Sequence, residues 1–140
     1  DNADYVCFQE VRDEAVDDLF LVLSSSARVT ATLHLKDALL MPQRMIQLSQ
    51  NKNDQHLLST IHDYIQVCIT PCRVMKNGRL KRFIGQIALF WNDENRIPQK
   101  CLLYEQREEQ VYRYAMPDYF KAYFENQRIA LDWREGIENL

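Results

Sequence analysis

Three groups of residues in this chain have types and spacings suited to chemistry. The first is His62-Asp63, an adjacent imidazole and carboxylate, with His34 upstream and Asp118 or Asp132 as a distant fourth ligand. Imidazole nitrogen and carboxylate oxygen around a divalent ion would activate water for phosphate hydrolysis. The second is a cysteine set. Cys68, Cys72 and Cys101 outline a zinc site with His62, although structural zinc favours close ligand pairs and this set has one loose pair spanning Pro71. Cys72 also has the neighbouring cation Arg73, which can lower a thiol pKa, but no base or oxyanion loop accompanies it. The third group is cationic. Residues 64–92 hold no acid and five bases: Arg73, Lys76, Arg79, Lys81 and Arg82.

The cationic group carries the most weight. Residues 1–63 have ten acids against five bases, and residues 93–140 have ten against seven. A positive island in an acidic chain marks a surface for a polyanion or an acidic partner, unless the protein's own carboxylates neutralise it. The metal reading corresponds to a phosphohydrolase of HD type, whose fold is wholly helical, whereas this chain is rich in strand patterns. His34 falls on one of those strands. On a helical projection His62 lies with Ser59 and Gln66, on the polar side. Other enzyme chemistries lack their residues. The three glycines, Gly78, Gly85 and Gly136, are too scattered to cradle phosphate, and Ser24-Ser25-Ser26 has no nucleophile-elbow context.

The elements that must position these groups follow from periodicity. Tyr5 to Val11 is rich in strand formers. Val16, Leu19, Phe20 and Leu23 make a helical stripe, with acids clustered toward its start; a buried strand over Leu19–Leu23 is the rival reading, which leaves 13–23 open between helix and strand. Arg28 to Lys36 alternates, with Val29, Ala31, Leu33 and Leu35 on one face. Residues 37–50 are ambiguous, and any helix there starts near Pro42. Leu57, Leu58, Ile61, Ile65 and Cys68 predict a helix that Thr70-Pro71 stops. Asn77-Gly78 predicts a tight hairpin turn between cationic arms, and Gly85 a bulge. Lys100–Gln106 and Gln110–Ala115 form another strand pair. Pro117-Asp118 opens a helix to about Gln127, with Phe120 and Phe124 inward. Residues 128–135 fit helix or strand.

This order predicts an α+β fold: a mainly antiparallel sheet of about five to six strands covered by two to three helices, in one domain over residues 1–140. A chain of 140 residues with 46% apolar content can build a core without metal or disulfide, so no cofactor is expected. No apolar run approaches the roughly 20 residues that a membrane span needs. The four cysteines, with Cys7 and Cys68 in apolar surroundings, read as free thiols in a reducing, cytoplasmic setting. A processed leader remains compatible with a chain that does not begin with Met.

These readings converge on a non-enzymatic adaptor or regulatory protein. It would recognise an acidic protein partner through Arg73, Lys76, Arg79, Lys81 and Arg82. Nucleic-acid binding through the same hairpin is the first alternative and the metal hydrolase the second. Tyr119, Tyr123 and Trp133 are candidates for a homodimer contact, because aromatic residues are enriched at interface centres.

Overall fold

A computed structural model describes residues 5–140; residues 1–4 of the expected domain lie outside the described ones. The chain begins with a parallel unit. Strand β1 (Tyr5–Phe8) is followed by helix α1 (Ala15–Ser24) and strand β2 (Arg28–Ala31), and the two strands pair in parallel. The acids Asp17 and Asp18 lie in the first turn of α1, where the helix dipole favours them. A helical crossover joins parallel neighbours, so β1 and β2 form a small sheet of their own. The alternation predicted through Lys36 outlasts the ladder. Leu33 and Leu35 stay half-buried beyond the end of β2.

A single 3₁₀ turn at Ala38–Leu40 leads into α2 (Met41–Leu48). Asp37 caps the turn by accepting from the Leu39 N–H, and Pro42 sits in the first turn of α2, where its missing N–H is not needed. Helix α3 spans Leu57–Tyr64. It is shorter than the predicted helix, because Val67–Lys76 is a strand, β3. Pro71 lies inside that strand instead of stopping a helix. β3 is the edge of its sheet, where a residue without N–H is tolerated.

The main sheet has the order β3-β4-β5-β6-β7 and is antiparallel throughout. Its further strands are β4 (Arg79–Asn92), β5 (Pro98–Arg107), β6 (Gln110–Arg113) and β7 (Gly136–Asn139). Helix α4 (Asp118–Asn126) precedes β7. Residues 128–135 are neither helix nor strand, and β7 is a strand that the sequence pattern did not suggest. No helix of the described residues is long and apolar enough to cross a membrane.

β4 is the spine of the core, and both of its faces are covered. Ala88 and Phe90 pack with Val16, Leu19, Met41, Met45 and Ile61 from α1, α2 and α3. Leu89 packs on the other face with Leu103, Met116 and Phe120, and Phe124 and Trp133 close that side. Burial on both faces explains the unbroken apolar run Ile87-Ala88-Leu89-Phe90-Trp91.

The hairpin between β3 and β4 closes through Asn77 and Gly78, at φ of 51° and 71°. Positive φ at both central residues is the type I′ requirement. A Cβ on Gly78 would meet nothing within 4 Å, so any substitution cost there is conformational. Gly78→Val should therefore destabilise the protein by roughly 1 kcal/mol or more. Denaturant unfolding measures this, and an unchanged midpoint would contradict the turn.

Candidate functional site

The five cations lie on the β3–β4 hairpin, and from Pro71 to Arg82 every residue of it is exposed. The six β3 residues Pro71–Lys76, at about 3.3 Å per residue, make an arm roughly 20 Å long. At its base the register shifts between Thr70 and Pro71: Thr70 opposes Gln86 and Pro71 opposes Ile84, leaving Gly85 unpaired. Gly85 is the bulge that its position in the strand predicted.

Cross-strand register sorts the arm into two faces. Arg73 opposes Arg82, Met75 opposes Leu80, and Pro71 opposes Ile84. These six share one face, an arginine pair between two apolar pairs. Lys76 opposes Arg79 and Val74 opposes Lys81, which gives three cations to the other face. Like charges directly opposite each other are destabilising. The arm carries two such pairs, Arg73 with Arg82 and Lys76 with Arg79. An arm built for stability alone would not contain them.

One cation is matched within the chain. Lys76 Nζ donates to Glu109 Oε1 at 2.5 Å, reaching the tight turn between β5 and β6. This bond, with a smaller contribution from Lys81, holds the Glu109 carboxyl below its usual range. Arg73, Arg79, Lys81 and Arg82 make no ion pair among the described residues. The apolar residues of the arm escaped the sequence reading, which followed charge. Met75 is 64% exposed, and Val74, Leu80 and Ile84 are also exposed. Their signal was the interleaving of Val74-Met75 and Leu80 with the cations.

The residues of the metal reading are not brought together. His34 is exposed and pairs with Glu10 at 2.9 Å. His62 is 3% exposed, which corrects its assignment to a polar helix face. The reason is tertiary: β4 covers that side of α3. The His62 ring stands edge-on to Phe90, and its Nδ1 lies 3.2 Å from the Trp91 carbonyl oxygen. Asp63 accepts from Arg96 through both oxygens and from Asn92 Nδ2, a clamp that ties α3 to the β4–β5 turn. Among the described residues no three His, Cys, Asp or Glu side chains converge as a metal site. Cys7, whose apolar sequence neighbours suggest a buried thiol, is exposed on β1 of the small sheet. Cys68 is half-buried, and burial pushes its thiol up to about 11, which leaves it unreactive.

Burial also lowers the His62 pKa below 6.5, against opposing hydrogen bonds from the Trp91 and Gln99 backbone. The charge of Lys100 lowers it further and that of Asp63 raises it. The unfolded chain then binds a proton that the folded chain refuses. Stability is full above about pH 6.5 and declines as pH falls through the folded pKa. Asp17 and Asp63, whose carboxyls are depressed, lose their contributions only at lower pH, near about 4 and below. The urea midpoint should thus fall between about pH 7 and pH 5.5 in the native chain and hold steadier in His62→Leu. An equal fall in both would assign the loss elsewhere.

The aromatic candidates divide. Trp133 packs beside the Leu89–Phe120 cluster and donates its indole N–H to the Tyr114 carbonyl oxygen at 2.7 Å. Tyr119 stacks on Trp91, with ring centroids 6.2 Å apart, yet remains exposed on its outer side. Tyr123 is exposed one turn further along α4. No protein-family model matches the chain, and no curated protein matches it.

Proposed function

We propose that this protein is a non-enzymatic adaptor or regulator that recognises an acidic protein partner through the β3–β4 arm. The observation that carries this reading is the exposed face on which Arg73 and Arg82 oppose each other between Met75–Leu80 and Pro71–Ile84. Two guanidinium groups side by side, without an ion pair among the described residues, are relieved by a carboxylate, which Arg binds in fork geometry. The apolar pairs around them favour a protein over a nucleic acid, whose backbone offers anions but no apolar side chains. The net charge of −3 also opposes general attraction to nucleic acid. Four free cysteines fit a reducing, cytoplasmic setting. Self-association through Tyr119 and Tyr123 belongs to the same reading, and sedimentation of the native chain against a variant with both changed to Ser tests it.

Fluorescence anisotropy with three labelled probes tests the main reading: an acidic peptide containing Leu and Val, single-stranded DNA and duplex RNA. The peptide should bind, and Arg73→Glu with Arg82→Glu should weaken it. Neither nucleic acid should bind at physiological salt. Tight nucleic-acid binding that falls steeply with log salt would replace this reading with the alternative.

A further inference from the structure

At the root of the arm the two sheets leave a gap between two strand edges, those of β2 and β3, that have no strand partner among the described residues. Thr32, just beyond β2, directs both its N–H and its C=O toward the β1 side, bonding Phe8 and Val11. Backbone groups alternate along an extended chain, so those of Val29, Ala31 and Leu33 face away from β1. On β3, the Gln66 carbonyl accepts from Phe90 N–H at 2.9 Å. The same alternation turns Cys68 and Thr70 toward β4, and turns the N–H and C=O of Val67 and Ile69 outward. The residues that carry both sets of outward groups line one cleft of about 690 Å³, together with Leu19, Met41 and Met45.

We infer that this cleft receives one extended segment of the acidic partner, which pairs with β2 and β3 at once and joins the two sheets. The inference rests on the adaptor reading and specifies how the partner is held. A strand between two edges sits about 4.8 Å from each, and the cleft is lined by residues 29–35 on one side and 64–71 on the other, enough length for a typical short strand. Its inward side chains are apolar, to match Leu19, Met41 and Met45. Its outward ones lie between Thr30, Thr32 and His34 on one rim and Val67 and Ile69 on the other.

Charge complementarity fixes the chemistry of the rest. The cleft ends at Pro71, where the arm begins, and Val67, Ile69, Pro71, Arg73 and Met75 follow one another along a single face of β3. A segment leaving the cleft in that direction meets Arg73 and Arg82, so it continues as an acidic run. A second copy of this chain is a poor occupant, because edge-to-edge pairing of two β3 strands would bring two cationic arms together.

The test uses the full chain and a labelled probe peptide of about ten residues, half alternating Val and Thr, half Glu. Amide hydrogen exchange by NMR is read with and without saturating probe. Val29, Ala31, Leu33, Val67 and Ile69 should exchange freely alone and gain about tenfold or more protection when bound. Thr30, Cys68 and Thr70 should change little. N-methylation of any one central probe amide should weaken binding about tenfold, because a strand held on both sides uses every amide. If the probe binds but those five amides gain no protection, insertion is wrong and the adaptor reading stands. If only one edge is protected, the partner adds to one sheet and the bridging inference fails. If neither the probe nor its Glu half binds, both readings fail together.

Discussion

Arg73→Glu should make the protein slightly more stable while weakening its hold on an acidic partner by about tenfold or more. The two effects have one cause. Arg73 and Arg82 face each other across the arm, and neither has a carboxylate among the described residues. Reversing one charge turns a repulsive cross-strand pair into an attractive one, worth about 0.2–1 kcal/mol and toward the low end on so exposed a ribbon. The same change removes a fork that would bind the partner's carboxylate and adds a repulsion in its place. A charged hydrogen bond contributes about 1.5–3 kcal/mol, so tenfold to a hundredfold in affinity is the scale.

The double variant Arg73→Glu with Arg82→Glu makes the prediction sharper. It restores a like-charge pair, so the gain in stability should vanish. Affinity should fall further, by about a hundredfold or more. Stability would then go up and come back while binding goes only down. Denaturant midpoints and anisotropy titrations on the same three proteins measure both. Binding that tracked stability through the series would mean the arm acts through the fold, and the cationic face would lose its role. Lys76 serves as the internal control. Its charge is already engaged by Glu109, so Lys76→Gln should affect partner binding less than either arginine change.

Features set by a local backbone demand could be read in the sequence. Asn77-Gly78 needs positive φ whatever surrounds it, and the hairpin is where the dipeptide placed it. The alternation of Val29, Ala31, Leu33 and Leu35 was also legible, since each faces the core whether or not the ladder continues. Ile65 and Cys68 were misread because they continue the helical period of Leu57 and Ile61. What ends α3 at Tyr64 is the pairing of residues 67–70 with 86–89, a long-range contact that no window around residue 65 contains. His62 was misplaced for the same reason: the helix projection was right, but β4 supplies a second buried side. β7 is short and wholly exposed, with no pattern of its own, and forms only because β6 offers an edge. The arm could be found from its charges, but the cleft beside it could not. Its walls, residues 29–35 and 64–71, become neighbours only after folding.

Gly85 determines which cations share a face, so its replacement should damage both stability and recognition. Below the bulge Gln86, Ala88 and Phe90 of β4 alternate in register with β3; above it the alternation has shifted by one residue, and Arg82 comes to lie opposite Arg73. A one-residue slip turns every side chain to the other face. The site has no room for a larger residue. A Cβ at position 85 would lie 2.4 Å from Cys72 Sγ and 3.2 Å from the Thr70 carbonyl oxygen. Gly85→Ala should therefore cost about 1–3 kcal/mol, the range for overpacking a tight site, and Gly85→Val more. The closest obstacle is one sulfur atom. In a Cys72→Ala background the cost of Gly85→Ala should drop, with a coupling of at least about 0.5 kcal/mol between the two positions, because only the tight approach to Thr70 remains. Additive costs would show that the bulge does not depend on the Cys72 contact. Binding supplies the second readout. If the double variant recovers stability and also recovers affinity for an acidic peptide, the bulge geometry has been restored. If stability returns without affinity, the strand has re-paired in a slipped register, with Arg73 and Arg82 no longer side by side.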